Sequence, residues 1–146
     1  MTFVDNTITL EKVTGADAQI RALYDILIKR TYNISNRTLP SIEEHIKFAQ
    51  NHPYRTWYLV KDDSDYIGSA YLMKNNCVGI NLIKNFELFP NIVNKILKKH
   101  KPLKEVKSVR PSYFYINIAP ENKQIEAQLM KLNAQKIQST FILTPT

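Results

Sequence analysis

A turn and an amphipathic helix lie between two apolar segments near the end of the sequence, and this arrangement constrains the fold more than any other feature. Apolar residues at helical spacing predict a helix over 122–132, and Pro120 bounds the turn before it. The flanking segments, 113–118 and 137–143, are rich in β-branched and aromatic residues and are predicted to be strands. A strand that turns directly into a helix places the unpaired N–H groups of the helix start at one edge of a sheet.

The remaining elements follow from the spacing of apolar residues. Ser41 and Glu44 have the separation of a capping box and predict where a helix begins. In chain order the sequence predicts a strand at 8–13, a helix through 20–27, a helix from 41 to about 51, strands at 57–61, 66–73 and 77–83, and a helix from about 91 to 100. We therefore expect one α/β domain over residues 1–146, with a mixed, mostly antiparallel sheet flanked by about four helices.

Composition narrows the classes of function. The chain has 146 residues but only three glycines, which disfavours a Gly-rich phosphate loop. Cys77 is the single cysteine, so an internal disulfide and a multi-cysteine zinc site are excluded, and the histidines have no metal-ligand spacing. The first residues lack the pattern of a signal peptide, and no apolar run approaches membrane-spanning length. We expect a cytoplasmic location, no membrane partner and no metal.

The net charge of +7 is concentrated in one stretch. Between residues 95 and 110, seven basic side chains face one acidic residue, Glu105; the basic ones are Lys95, Lys98, Lys99, Lys101, Lys104, Lys107 and Arg110. Such a stretch is usually a solvated surface, and we favour that interpretation. An anion site for phosphate or nucleic acid is the alternative, although a nucleic-acid partner is not favoured.

The segment from Asn122 to Ala134 resembles the GNAT superfamily of acyl-CoA N-acyltransferases. Asn122 matches the Asn of the family pattern N-x-x-A-x-x-x-Y-x-x-x-G-F, and Asn133-Ala134 stands where Gly-Phe is expected. The predicted order of elements is also similar to that of the family over nearly the whole chain. The resemblance implies an N-acetyltransferase that uses acetyl-CoA as co-substrate, and it allows a homodimer.

In that family the strand corresponding to 77–83 diverges from its neighbour and pairs with the pantetheine arm of the cofactor. The following helix N-terminus receives the pyrophosphate, because its free amides and dipole favour an anion. The resemblance implies that a backbone N–H near Asn81 or Leu82 stabilises the oxyanion. It assigns cofactor contacts to Asn81, Leu82, Ile83, Phe89, Asn91, Ile92 and Asn122.

Two positions depart from the family pattern. The loop 84–91 contains no glycine, so its amides cannot close on a phosphate as a Gly-rich loop would. Leu129 stands where a Tyr often protonates the leaving thiolate. Tyr115, with Tyr113 beside it, is then the nearest side-chain candidate for the acid, and water is the alternative.

The N-terminal half resembles family members that acylate amino sugars and related small amines. The residues concerned are Tyr32-Asn33 and the segment Ile42-Glu-Glu-His45. The resemblance implies acceptor contacts from Tyr32, Asn33, Arg37 and Glu44, and a catalytic role for His45. Glu44 is equally explained by the capping box, and His45 by a structural position at the edge of an apolar stripe.

The departures leave a second function open. A catalytically inactive GNAT-like chain that serves as a binding or interaction module would need neither the glycine loop nor the Tyr. The first hypothesis is an acetyl-CoA-dependent transferase that acts on a primary amine of a small molecule, with an amino sugar as one candidate.

Overall fold

The computed structural model describes residues 7–30 and 39–145. Five strands form one sheet in chain order: β1 (Ile8–Lys12), β2 (Thr56–Asp62), β3 (Asp65–Leu72), β4 (Cys77–Leu82) and β5 (Tyr115–Ile116). Neighbouring strands are antiparallel except β4 and β5, which are parallel. The predicted α/β class with a mixed, mostly antiparallel sheet is confirmed.

Four helices flank this sheet: α1 (Asp17–Lys29), α2 (Ile42–Gln50), α3 (Phe89–Lys99) and α4 (Lys123–Lys131). The start of α2 has the predicted capping box, in which the Glu44 N–H donates to Ser41 Oγ and the Ser41 N–H donates to Glu44 Oε1. Asn122 caps α4 by accepting the N–H of Ile125 at 3.3 Å. A 3-10 turn, Phe86–Leu88, runs directly into α3, so this helix begins earlier than Asn91.

Both faces of the sheet are covered, which explains the unbroken burial of the central strands. On β2, Trp57 and Leu59 pack with α1 and α2, whereas Val60 belongs to the cluster formed with α3 and α4. Neighbouring residues of β2 thus point to opposite layers, as expected for the strand predicted at 57–61. None of the helices that the structure describes is long and apolar enough to cross a lipid bilayer.

The β4 and β5 strands diverge. They pair only at Cys77 with Tyr115 and at Val78 with Ile116. The predicted strand 113–118 is thus too long: only Tyr115 and Ile116 form the ladder, because the two strands separate beyond them. The stretch of β4 after Val78 has a neighbour on the β3 side and a gap on the other.

The prediction of a last strand at 137–143 is wrong for the single chain. Residues 132–145 form no strand, although the apolar side chains of this segment are strongly exposed. A strand needs a partner with free backbone groups, and within one chain this segment makes no backbone pairing with any described residue.

A buried amide holds the basic loop 101–112 against the sheet. Asn76 is fully buried in the turn between β3 and β4, and its Nδ2 donates to the carbonyls of Leu103 and Pro111. Its Oδ1 accepts the N–H of Leu103 at 2.7 Å. The Lys side chains of this loop are exposed, as expected for a solvated surface.

Candidate active site

The divergence of β4 and β5 opens a small cavity, here called the gap cavity. Its volume is about 40 Å³, which leaves room for a few water molecules at most. Its wall is formed by Arg30, Ile80, Asn81, Leu82, Phe86, Phe89, Asn122 and Ile125. Four of these, Asn81, Leu82, Phe89 and Asn122, are among the residues predicted to contact the cofactor.

Backbone donors of β4 point into this gap. Ile83 donates its N–H to Ile67 and Met73 donates to Cys77 O, which fixes the hydrogen-bonding phase of the β3–β4 ladder. Asn81 is in phase with Ile83, so its N–H points to β3. Because antiparallel ladders alternate, the N–H groups of Ile80 and Leu82 point away from β3 and towards the gap.

The start of α3 offers fewer donors than a phosphate site needs. Leu88 donates its N–H to the Asn85 carbonyl, Phe89 donates to the Phe86 carbonyl, and Pro90 has no N–H. Asn85 adopts a left-handed conformation with φ of 56°, a role that glycine fills more easily. The 3-10 turn thus uses N–H groups that could otherwise donate hydrogen bonds to a pyrophosphate.

Two phenylalanines fill the base of the gap cavity. Phe89 is only 1% exposed and belongs to the core cluster, whereas Phe86 is half-buried at its edge. Gln128 of α4 donates to the Phe86 carbonyl at 3.0 Å and ties the 3-10 turn to that helix. Phe86 is therefore the more exposed part of this wall and Phe89 the buried part.

A second cavity of about 320 Å³ lies between α1, α2 and the sheet. We call it the aromatic cavity, because Phe48, Tyr54, Trp57 and Tyr71 form much of its wall. The Tyr54 and Tyr71 rings stack with centroids 4.3 Å apart, and Phe48, Tyr54 and Trp57 meet edge to face. Burial raises the pKa of both tyrosines, so the phenols stay neutral.

Gly79 makes the position of Tyr71 possible. A Cβ on Gly79 would overlap the ring and hydroxyl of Tyr71, which lies across the neighbouring strand. This close approach places a phenol of the aromatic cavity against the start of the open part of β4. Sequence analysis had no signal for it beyond the rarity of glycine in the chain.

His45 lines the aromatic cavity and is almost fully buried. Its Nε2 lies 3.2 Å from the Ile20 carbonyl oxygen, which can only accept, so Nε2 carries the proton and Nδ1 has a lone pair. Burial lowers the pKa of this imidazole, and the carbonyl of Ile20 opposes that effect. The neutral ring is suited to accept a proton, and it is also held in place as a structural side chain would be.

Glu44 lines the same cavity from the first turn of α2. Its hydrogen bonds with Ser41 lower the pKa of the carboxyl, which is therefore ionised near neutral pH. The cap uses Oε1 and leaves a second carboxylate oxygen. The capping role predicted for Glu44 is confirmed, and the same side chain borders the cavity.

Arg30 and Asn81 line both cavities, which are therefore neighbours in the structure. Arg30 follows the last turn of α1, and burial lowers the pKa of its guanidinium while Tyr71 and Tyr54 oppose that effect. Arg30 was not among the site residues predicted from the sequence. The only available signal was a basic residue directly after an amphipathic helix.

The other predicted site residues lie apart from these cavities or outside the described residues. Tyr115 lines neither cavity; it lies at the closed end of the gap, where β5 pairs with Cys77. Ile83, Asn91 and Ile92 also line neither cavity. Tyr32, Asn33 and Arg37 lie outside the described residues. Among residues 7–30 and 39–145, no group of His, Cys, Asp and Glu side chains is placed to hold a metal ion.

Several solved structures have a similar arrangement of strands and helices, and they include acetyltransferases. The aminoglycoside N-acetyltransferase AAC(6')-Iy in complex with CoA aligns with a TM-score of 0.59 at 8% identity, over 94% of each chain. A possible acetyltransferase from Clostridium difficile 630 aligns at 0.53 and 10% identity, over 96% of this chain and 98% of that one. Spermidine N-acetyltransferase from Vibrio cholerae, a dodecamer, aligns at 0.54 and 15% identity, over 86% of this chain and 78% of that one.

The chain has a GNAT-like fold. No family model matches the sequence, and no curated protein matches it either. At these identities the likeness lies in the arrangement of strands and helices. The resemblance seen in the order of elements is thereby confirmed for the fold.

Proposed function

We propose that this chain transfers an acetyl group from acetyl-CoA to a primary amine of a small molecule. The observation that supports the proposal is that the gap cavity and the aromatic cavity share two wall residues, Arg30 and Asn81, which we infer to be the junction between them. A thioester held in the first and an amine held in the second would have their reacting atoms at this junction. The neighbours that act on aminoglycosides and spermidine support an amine as acceptor.

In the proposed reaction the amine nitrogen attacks the thioester carbonyl carbon directly. The N–H groups of Leu82 and Ile80 point to the gap and would donate to the oxyanion. The attacking amine must first lose a proton, and His45 Nδ1 or an ordered water would take it. The C–S bond then breaks, and the thiolate takes a proton from water, from Tyr71 or from Tyr115.

Acetyl-CoA fits one part of the gap and not another. The outward carbonyl groups of Ile80 and Leu82 suit the amide N–H groups of the pantetheine arm, which leaves the N–H groups of these residues for the oxyanion. The volume of about 40 Å³ does not admit that arm, so Phe86 must turn aside on binding. Lys98 and Lys99 lie in the last turn of α3, about 14 Å along the helix axis from its start, and so they do not replace a glycine loop at that start.

The aromatic cavity suits a cationic or sugar-like amine. Its aromatic walls favour an ammonium group or the apolar face of a sugar ring, and Glu44 supplies a negative charge at its border. An amino sugar is one acceptor that meets both conditions. A reduced, buried Cys77 agrees with the cytoplasm as the place of reaction.

A titration with acetyl-CoA, followed by calorimetry, tests this function. We expect saturable binding, and thiol release with at least one member of a panel of amino sugars and polyamines. Phe86→Ala should tighten cofactor binding several-fold by widening the gap, whereas Phe48→Ala in the other cavity should leave it unchanged. If no heat of binding is measured at millimolar acetyl-CoA, the transferase function is ruled out.

The alternative is a GNAT-like binding module without catalysis. It is favoured by the amides of Leu88 and Phe89, which are already used within the 3-10 turn, and by the buried Phe89. This module would bind amines in the aromatic cavity and remain indifferent to acetyl-CoA. Turnover with any amine of the panel would contradict it.

A further inference from the structure

A positively charged side chain stands in the wall that the two cavities share. Arg30 lines both cavities, and it is half-buried directly after the last turn of α1. Burial raises the pKa of the Tyr54 and Tyr71 phenols, and the nearby charge of Arg30 opposes that effect. A guanidinium that is partly withdrawn from water interacts more strongly with an anion than one on an open surface. This wall therefore favours a ligand that carries a negative charge.

Two polar side chains of the sheet line the aromatic cavity together with Arg30. Ser69 of β3 and Asn81 of β4 are partners in the antiparallel ladder, and both contribute to the cavity wall. Ser69 is only 7% exposed, although it is polar. A hydroxyl and a side-chain amide can each donate hydrogen bonds, and a guanidinium has five N–H donors. This donor set matches the two oxygens of a carboxylate.

The acidic side chain of the aromatic cavity belongs to a different part of it. Among the described residues that line the two cavities, Glu44 is the only acidic one. It precedes His45, whose ring lies against the carbonyl of Ile20. Ile20 comes ten residues before Arg30, which corresponds to roughly 15 Å along the axis of α1. A carboxylate bound at Arg30 would therefore be well separated from that of Glu44.

A positive charge at this place has opposite effects on two kinds of acceptor. An ammonium group beside a guanidinium is disfavoured, so Arg30 would lower the pKa of a bound amine and increase the neutral fraction that can attack. The same repulsion weakens the binding of a simple amine or a polyamine. A carboxylate on the carbon next to the amine offsets this loss, because it pairs with the guanidinium in a bidentate manner.

We propose that the acceptor is an α-amino acid with a large apolar side chain, and that Arg30 binds its carboxylate. This inference rests on the proposed transferase function and names the substrate class of that site. The apolar side chain lies among the rings of Phe48, Tyr54 and Trp57, which meet edge to face in the cavity wall. Burial of such a side chain supplies binding free energy that a small amine lacks.

The reaction on this acceptor is a direct transfer. The neutral α-amine attacks the thioester carbonyl carbon, a C–N bond forms, and the C–S bond breaks. The nitrogen loses one proton to an ordered water, and the leaving thiolate takes up one proton. The products are an N-acetyl amino acid and the free thiol of CoA, so no further reactant is needed.

Pairs of acceptors that differ only in the carboxylate test this inference. Suitable pairs are phenylalanine with 2-phenylethylamine and leucine with 3-methylbutylamine, assayed by thiol release from acetyl-CoA. We expect kcat/KM to be about tenfold higher or more for the amino acid, the effect of one hydrogen bond to a charged group. Arg30→Gln should remove this preference, mainly by raising the KM of the amino acid. Arg30→Lys should retain part of it, since the charge remains without the fork of donors.

Arg21→Gln is the matched control. Arg21 is an exposed residue of α1, so its loss changes the net charge equally and should leave the preference intact. Near-ultraviolet circular dichroism checks that the variants fold. Equal kcat/KM for acid and amine, a preference that Arg30→Gln leaves unchanged, or turnover confined to amino sugars and polyamines would each overturn the inference and leave the transferase in place. Failure to bind acetyl-CoA, or to turn over any acceptor, would overturn the proposed function and the inference with it.

Discussion

The two cavities at the centre of the molecule differ in how they are built. The aromatic cavity lies between layers and is lined by side chains from α1, α2, β2 and β3, which leave about 320 Å³ open. The gap cavity arises from the backbone, where β4 and β5 stop pairing, and two Phe side chains reduce it to about 40 Å³. The divergence of the strands is a property of the fold, whereas the width of the gap depends on a few residues of one loop.

Substitution of Phe89 should show the largest difference in stability between the walls of the two cavities. Phe89→Ala removes a fully buried ring, so we expect the free energy of unfolding to fall by about 3–5 kcal/mol. Phe48→Ala, at a partly exposed ring of the aromatic cavity, should cost far less. Urea unfolding of both variants measures the difference. If both variants lost the same free energy of unfolding, the view that Phe89 belongs to the core and Phe48 only to the wall of a cavity would be contradicted.

Substitution of Gly79 should give the next largest effect, and this effect concerns the aromatic cavity. Gly79→Ala should displace Tyr71, lower the free energy of unfolding by about 1–3 kcal/mol and weaken amine binding. In a Tyr71→Ala background the same substitution should cost little, because the overlapping ring is gone. Gly68→Ala is the control: its Cβ would meet the backbone of Asn81, so its cost should persist in that background.

Loss of the α2 cap should have a smaller effect on stability. The effect of Glu44 on amine binding can be measured separately from it. Ser41→Ala removes one side of the capping box and should lower the free energy of unfolding by about 1 kcal/mol. Glu44→Gln should weaken the binding of a cationic amine more than Ser41→Ala does, since it removes the charge beside the cavity. Calorimetric titration of both variants with the same amine checks this. If both variants bind the amine equally, Glu44 has only its structural role.

The pH dependence of stability should carry the smallest effect. Burial lowers the pKa of His45 in the folded chain, so below an ordinary pKa of about 6.5 the unfolded chain binds a proton that the folded chain does not. The contribution of His45 is complete above that pH and is lost as the pH falls towards the folded pKa. His45→Gln should flatten this slope between pH 5 and 7 in urea titrations. His52 and His100 have lowered pKa values too, so some slope should remain.

Local signals in the sequence were sufficient for most elements of the fold. The capping box of Ser41 and Glu44, the alternation along β2 and the Asn122 cap are encoded by neighbouring residues, and the structure has each of them. The strand at 137–143 was predicted wrongly because its pattern specifies a pleated, half-covered segment but not the chain that covers it. Pairing depends on which edge is available, and periodicity does not encode that.

The candidate site was only partly accessible from the sequence. The family resemblance selected Glu44, His45, Asn81 and Leu82, and the structure places all four in the walls of the two cavities. Arg30, Tyr54 and Tyr71 were missed, because their convergence depends on how α1 packs on β3 and on the space that Gly79 leaves. The sequence also did not predict that the N–H groups of Leu88 and Phe89 bond within a 3-10 turn, because the choice between a turn and an open loop depends on backbone geometry.

The side chain of Asn76 has a consequence for the most positively charged part of the molecule. Its three hydrogen bonds fasten both ends of the loop 101–112, so the lysines of that loop form a cationic ledge with a fixed position relative to β4. Any polyanion that approached the protein would meet charges already ordered, and would lose less entropy than on a flexible tail. A neutral amide that is out of contact with solvent thus helps to fix how the surface charge is presented, together with the bonds from Arg55 to Lys101 O and from Arg110 to Lys74 O.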